Sequence, residues 1–552
     1  MAFVQAMNAP EKTKIGVNGE IVYTAAGVGD SRVALFTMLN RGLDKETLQD
    51  AIRTVFADSK KSKKPEWQLD MFLMAFQTRD IRGGKGEKQL FYYFMKTLYE
   101  QDPLITTNVV RHIPEYGCWR DMWELIKEVP ELTDEVLKVT RDTFFTDRLY
   151  LAAGSTKKMS LLAKWLPREG STYAGVAKKI AAFIYPAITN GNKRMMTYRK
   201  DVSDMNKALQ TVEINMCGGA WKMIQPDRVP GRCLKHHSKA FYNLPQKNSV
   251  EAFRYPDSHD RMECRQHFLD WKEELKAGTK KAKGADVVMP HELVTQTCED
   301  GRSADEQDIT QAQWDSIREK MAAGGGLGKA VAMCDFSGSM SGLPKAISLA
   351  LGILISEVTH PSFKDHILSF DSEPSWHSFA KKKTLKDKLD SISHYFAQGL
   401  STDFYKACMC ILDRMVQHRV PVGEEPEDLI VLTDMGFDAA ISVHDTYGYH
   451  TSPTPFQLED IRTKFKEAGE NVWGKGWKPP RIVIWNLRAE YDDFHAKADQ
   501  DGVVQLSGWS PNVLKVLEKG RVEVRTPYET MREILDDERY GKIADVWFFT
   551  PR

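Results

Sequence analysis

At about Gly328 the chain changes its pattern of apolar residues, and that change limits the fold more than any other feature. Before it, from about Ser31 to Val250, apolar residues recur every three or four positions. The stretches "WQLDMFLMAFQTRD" and "KQLFYYFMKTLYEQ" show the spacing of amphipathic helices. Breaks such as "RGGKGEK", "PEYGCWRD", "LPREGSTY" and "ITNGNKR" carry the turn signals that separate such helices. Amphipathic helices joined by short loops bury their stripes on one another, so an array of paired helices is expected over residues 31–250. After Gly328 the apolar runs shorten and alternate with helical ones. "AVAMCD", "HILSF", "SWHSF", "DLIVLTD", "RIVIWNL" and "GVVQLSG" read as strands, and "LPKAISLALGILISEV", "TDFYKACMCILDRMVQ", "QLEDIRTKFKEAG" and "SPNVLKVLEKG" as helices. Strand and helix in alternation predict a mainly parallel sheet covered on both faces, an α/β doubly wound domain over residues 328–520. The chain is therefore multidomain. Residues 1–30 are an N-terminal extension and 251–327 a charged helical connector. Residues 521–552 form a tail apolar enough to pack back on the body.

Charge bears on partners. The 552 residues hold 76 Lys+Arg and 76 Asp+Glu, a net charge of zero, but the balance is uneven. Residues 1–300 carry 46 basic and 38 acidic side chains, and the remainder 30 and 38. From Leu151 to Val250 the ratio is 17 to 5, a bias that attracts polyanions and admits nucleic acid as a partner. The eight cysteines form no C-x-x-C pair, and Cys408 and Cys410 fall in an apolar helical stretch, which points to buried thiols in a reducing compartment. No charged-then-apolar leader and no 18-residue apolar run appears, so a cytoplasmic protein without membrane attachment is expected.

The stretch "AMCDFSGSMSGLPKAISLALG" places Asp335 at the end of a strand, with Ser337 and Ser339 in the following loop. In a doubly wound sheet, ligands bind beyond the carboxyl ends of the strands. Two other segments aim there: "GLSTDFY" with Thr402 and Asp403, and "LIVLTDMGFD" with Asp434 and Asp438. All these donors are oxygen, which suits Mg²⁺ or Mn²⁺. Helix capping accounts for Asp335 and the serines, but not for Thr402 and Asp434. Catalytic patterns fit poorly. The nucleophile elbow G-x-S-x-G fails at Met340, "AAGGGLGKA" fails as a phosphate loop, and Ser337 stands where a phosphatase-type nucleophile would want a second Asp. No enzymatic activity and no small-molecule substrate are expected. The D-x-S-x-S run, with a Thr and an Asp from two later segments, closely resembles the metal-ion-dependent adhesion site of von Willebrand factor A domains. That resemblance implies that Asp335, Ser337, Ser339, Thr402 and Asp434 surround one Mg²⁺ (or Mn²⁺), whose last position a partner's carboxylate or a water takes.

In the helical half, "FQTRDIRGGKGEKQLFYYFMKTL" sets Arg79, Arg82, Lys85 and Lys88 around a Gly-Gly turn, as a polyanion cradle would. Lys193, Arg194, Arg199 and Lys200 form a second basic group, and Trp119, Trp165 and Tyr198 are candidate platforms for unpaired bases. Read in order, "YGCWRDMWELI", "LLAKWLPREGSTY", "MTYRKDVSDMNKALQTVEINMCGGAWKMI" and "VPGRCLKHHSKAFYN", followed by the oxygen-rich domain, resemble an uncharacterised family of plants, protists and large viruses. Its architecture is similar to that of the Ro autoantigen (TROVE) proteins: a ring of HEAT-like helical repeats closed by a von Willebrand A domain. The resemblance implies a non-catalytic ribonucleoprotein scaffold, with the basic ring holding structured or misfolded RNA ends. The other reading is a metal-dependent protein–protein interaction module that grips an acidic residue of its partner.

Overall fold

The structure is a computed structural model. It describes residues 12–16, 21–245, 251–277, 279–280, 288–299, 302–370, 374–392, 404–435, 458–489, 493–518 and 523–551. Thr402, Asp403, Asp438 and the insertion up to residue 457 lie outside the described residues. Two compact units account for the chain. The first is Met1–Met74, Gly83–Lys85 and Val288–Glu538; the second is Ala75–Arg82, Gly86–Val287 and Arg539–Arg552.

The first unit is built on a six-stranded sheet. A small antiparallel hairpin, β1 (Thr13–Ile15) and β2 (Ile21–Tyr23), precedes it in the chain. The main strands are β3 (Ala330–Asp335), β4 (His366–Phe370), β5 (Trp376–Ser378), β6 (Asp428–Thr433), β7 (Arg481–Asn486) and β8 (Val503–Ser507). They lie in the order β5-β4-β3-β6-β7-β8, all parallel except the antiparallel edge strand β5. The order reverses between β3 and β6, the place where doubly wound sheets open a crevice. β3 and β6 are buried at every position, as parallel strands covered on both faces must be.

Alternation along the strands feeds two cores. Val331, Met333, Leu429, Val431, Ile482 and Ile484 pack with the helices Phe404–Gln417 and Leu458–Trp473. Ala332, Cys334, Ile430, Leu432, Val483 and Trp485 pack with the helix Leu343–Val358. These six strands and three helices stand where the sequence pattern puts them. "SPNVLKVLEKG" differs, for residues Pro511–Leu517 form a run of 3₁₀ turns. Cys408 is buried and Cys410 half-buried on their helix.

The N-terminal residues are the main departure from the expected domain plan. Residues 31–74 belong with the sheet rather than with the helical array. The helix Ser31–Met38 packs on β8, and Asn40 Nδ2 donates to the Asn486 carbonyl at 3.0 Å. Arg32, buried, bridges Asp30 at 2.7 Å and Asp70 at 2.8 Å, and Asp70 also receives Arg532 from the chain's far end at 2.6 Å. Sequence periodicity describes a helix and not its neighbour, so this assignment was invisible to it.

The second unit is helical. Its longest helices are Gln89–Gln101, Thr133–Ala152, Gly191–Leu209 and His259–Lys276. The tail divides as well: residues 539–551 pack here, where Arg539 pairs with buried Asp80 and Tyr540 stacks on Tyr116 at 5.8 Å between centroids. Among the described residues no helix is long and apolar enough to cross a membrane.

Gly352 sets how closely the helix Leu343–Val358 lies on the sheet. A Cβ there would stand 2.3 Å from Cys334 Sγ. Gly352→Ala is expected to destabilise the first unit by about 1–3 kcal/mol, although alanine favours a helix by about 1 kcal/mol over glycine. Urea unfolding checks this; a gain in stability would show that the contact is slack.

Candidate metal centre

The carboxyl ends of β3 and β6 bring together four of the five residues expected to hold a cation. The parallel register pairs Cys334 with Leu432, so Asp335 and Thr433 leave the sheet at one level and Asp434 follows immediately. Asp335 and Asp434 are each 0% exposed, Ser337 is 4% exposed, and Ser339 is open to solvent. Thr402 lies outside the described residues.

Asp335 is held from two sides. Its Oδ1 accepts from the Ser337 amide at 2.9 Å, which turns the loop back so that the serine hydroxyl faces the strand ends. Its Oδ2 accepts from Thr433 Oγ1 at 2.9 Å. Burial, and then the charge of Asp434, push its pKa from the ordinary 3.8 up to about 7; the bonds from Ser337 and Thr433 oppose this and lose. Two carboxylates out of water repel, and a divalent cation between them would remove the conflict.

The hydroxyls carry the test of fit. Ser337 Oγ and Ser339 Oγ stand 3.0 Å apart. Neighbouring ligands of an octahedral Mg²⁺ at about 2.0–2.1 Å are separated by about 2.9 Å, so this pair already has the spacing of one octahedral edge. Two acids and two hydroxyls make a hard, all-oxygen set. Among the described residues there is no cluster of three or more His, Cys, Asp or Glu able to hold a metal; this set has two carboxylates, and its other donors are hydroxyls.

Four supporting residues, Thr433, Met435, His495 and Arg488, escaped the sequence reading. Thr433 orients Asp335 as described. Met435, the residue after Asp434, is buried in the left-handed region at φ 76°, an uncommon position for a bulky side chain. Its carbonyl accepts from His495 Nε2 at 2.9 Å, and burial lowers the His495 pKa to about 4, so a neutral ring holds the turn that presents Asp434. Arg488 donates to the Ser339 carbonyl and ties down the outer serine. Thr433 had a signal, its place in "LIVLTD"; His495 and Arg488 had none.

The expected RNA contacts divide sharply. Arg79 and Lys85 are each 1% exposed, so neither can meet an RNA strand, and that part of the cradle is corrected. Arg79 pairs with Asp121 at 2.7 Å. Lys85 Nζ donates to Ser507 Oγ at 2.6 Å and to the carbonyls of Leu39 and Phe36 at 2.8 and 3.2 Å. Arg82 is exposed and bonds the Glu115 carbonyl at 3.0 Å; Lys88 is exposed. Lys193, Arg199 and Lys200 are exposed on the helix Gly191–Leu209, with Arg199 paired to Glu169, while half-buried Arg194 bonds the Ile188 carbonyl at 2.8 Å. Trp119 and Tyr198 are core residues, 8% and 0% exposed, so neither offers a ring face to a base; Trp165 is half-buried.

Comparison with known proteins adds sequence relationships. Residues 132–327 match a domain of unknown function (DUF2828) and residues 329–544 match another (DUF7788). The two matches meet at Gly328, where the apolar pattern changes. The chain is also similar to an uncharacterized protein of Acanthamoeba polyphaga mimivirus, 26% identical over 460 residues that span 80% of this chain and 75% of that one.

Because Asp335 titrates near 7 when folded and near 3.8 when unfolded, the folded state holds an extra proton between those values. The stability this confers is present below about pH 4 and is lost as pH rises through 7. Metal-free Asp335→Asn is therefore expected to be more stable than wild type at pH 8, by about 1–3 kcal/mol, and no more stable at pH 4. Thermal unfolding at both pH values checks this; an equal loss at both would contradict it.

Proposed function

We propose that this chain is a non-catalytic cytoplasmic scaffold. Its von Willebrand A-like domain carries one Mg²⁺ or Mn²⁺ on Asp335, Ser337, Ser339 and Asp434, with Thr402 as a further ligand, and offers the cation's open position to an acidic side chain of a partner protein. The observation that carries this reading is the meeting of Asp335 and Asp434 with two hydroxyls 3.0 Å apart, at the point where the strand order reverses. A cation held by neutral hydroxyls and few carboxylates keeps enough positive charge to bind one more carboxylate. Ser339 at the solvent edge gives a partner access.

Removing the metal is the direct test. Millimolar Mg²⁺ is expected to raise the unfolding midpoint of the wild type and to leave Asp335→Ala unmoved. Proteins retained from native extract with Mg²⁺ are expected to be released by EDTA. If neither EDTA nor Asp335→Ala alters the retained set, the adhesion reading fails.

RNA binding by the second unit is a further reading with its own support. Within the basic stretch Leu151–Val250, side chains including Lys157, Lys158, Lys178, Lys179, Lys193 and Lys200 face solvent. Exposed cations in excess bind polyanions through counterion release. Filter binding of a structured RNA with a single-stranded 3′ end is expected to weaken steeply with salt. Lys193→Ala, Arg199→Ala and Lys200→Ala together should flatten the log–log slope by about 2, at about 0.7 per lost single-strand phosphate contact. A flat slope for the wild type would contradict this reading.

A further inference from the structure

The hairpin β1–β2 is joined to the cation centre through one segment, Asp493–Ala498. That segment belongs to no helix or strand, yet Asp493, Phe494, His495, Ala496 and Ala498 are buried. Its backbone is held by the N-terminal residues and by Tyr528. Tyr23 and Phe494 exchange both amide–carbonyl bonds, at 2.8 and 3.3 Å, as a hydrogen-bonded antiparallel pair does. The Ala498 amide donates to the Val28 carbonyl at 2.9 Å, and the Tyr528 amide to the Ala498 carbonyl at 2.9 Å. From β1, Lys14 Nζ reaches Asp493 Oδ1 at 2.9 Å, where the acid is 2% exposed. Lys497 stands 5.6 Å from the centre of the Tyr23 ring. The hairpin also sits directly on the turn that follows it. The Thr24 amide donates to the Lys12 carbonyl at 3.1 Å, and a Cβ at Gly27 would stand 1.8 Å from that same oxygen.

From this segment the path to both acids is short. His495, the residue after Phe494, donates from Nε2 to the Met435 carbonyl at 2.9 Å. Met435 follows Asp434 in the chain, and its amide donates to Thr433 Oγ1 at 3.2 Å. Thr433 Oγ1 in turn donates to Asp335 Oδ2 at 2.9 Å. A single turn, left-handed at Met435 with φ 76°, therefore places Asp434 and bonds the hydroxyl that orients Asp335. A bulky residue keeps such a conformation only where its surroundings impose it. His495 imposes it from one side, and the hairpin seats the segment that carries His495. Outer partners of this kind govern metal affinity because they fix where the ligand oxygens stand before the cation arrives.

We propose that the hairpin β1–β2 is a positioning element of the cation centre. Lys14 and Tyr23, neither of them among its ligands, set how tightly it holds Mg²⁺ or Mn²⁺ by seating Asp493–Ala498. The proposal rests on the cation reading and adds to it a control on that same site. Whatever draws the hairpin away lets His495 retreat from Met435 and loosens both acids at once. Linkage makes the coupling reciprocal, so a bound cation also holds the hairpin down.

The full chain is titrated with Mn²⁺ at a temperature where circular dichroism shows every variant folded. Lys14→Ala and Lys14→Glu are expected to weaken Mn²⁺ binding about threefold to tenfold, and Lys14→Arg to keep the wild-type affinity. The direction separates geometry from charge. Removing a positive side chain would by Coulomb's law alone tighten a cation, so weaker binding reports displaced ligands. Gly27→Ala, which alters no charge but crowds the Lys12 carbonyl, is expected to weaken Mn²⁺ in the same way. Ile15→Ala, on the same strand at a side chain 75% exposed, should leave it unchanged. Hydrogen exchange reads the reciprocal effect: Mg²⁺ should slow exchange across Thr13–Ile15 and Ile21–Tyr23 in the wild type and not in Asp335→Ala. If the wild type binds Mn²⁺ while Lys14→Glu and Gly27→Ala bind it equally or more tightly, or if Mg²⁺ leaves exchange in the hairpin unchanged, this proposal alone is overturned. A wild type that takes up no Mn²⁺ overturns the cation reading, and this proposal with it.

Discussion

Repulsion between two buried carboxylates is the constraint around which the first unit is arranged. Asp335 leaves β3 level with Thr433 at the end of β6, Asp434 follows one residue on, both acids are out of water, and the pKa of Asp335 records the conflict. A fold that needed only helix caps there would gain nothing from burying two acids. The supports around them are specific. Thr433 and the Ser337 amide fix Asp335, a left-handed Met435 held by neutral His495 fixes the turn after Asp434, and Arg488 holds the Ser339 carbonyl. Close packing of Gly352 against Cys334 sets the helix Leu343–Val358 on the sheet. Carboxylates and hydroxyls in one set are the donors that suit a hard cation.

The second unit spends its charges differently. Arg79 meets Asp121 and Arg539 meets Asp80, each inside the helical body, so much of the basic character near the Gly-Gly turn stabilises the unit itself. Such pairs are weak contributors when both partners are counted, but breaking one leaves a stranded charge. Lys157, Lys158, Lys178, Lys179, Lys193 and Lys200, by contrast, face solvent. A chain with zero net charge can therefore carry two opposite electrostatic tasks in two units.

Much of the fold was legible in the sequence, and the limit of legibility has a physical cause. Strands covered on both faces read as unbroken apolar runs, and the helix Leu343–Val358 reads from its own period, so neither needs knowledge of a neighbour. The oxygen donors were legible as residues at the ends of apolar runs, and their grouping into one set was what the resemblance to the metal-ion-dependent adhesion site implied; the structure shows that Asp335 ends one strand and Asp434 follows its neighbour in the sheet. Partnerships across long separations were not legible. Arg79 finds Asp121 42 residues away, Lys85 finds Ser507 422 residues away, and His495 finds Met435 60 residues away. Spacing marked Arg79 and Lys85 as a charged turn, and burial turned them into structural cations. The same blindness hid the placement of residues 31–74, whose helices look like those of the array although the first of them, Ser31–Met38, packs on β8.

The most direct measurement is an anomalous difference map from crystals of the full chain grown or soaked with Mn²⁺. A cation centre requires one strong peak at about 2.0–2.3 Å from Ser337 Oγ and Ser339 Oγ, within the shell bounded by Asp335 and Asp434. A map with no peak there, and Ser337 Oγ still 3.0 Å from Ser339 Oγ, would contradict it and return the cluster to the role of a helix cap.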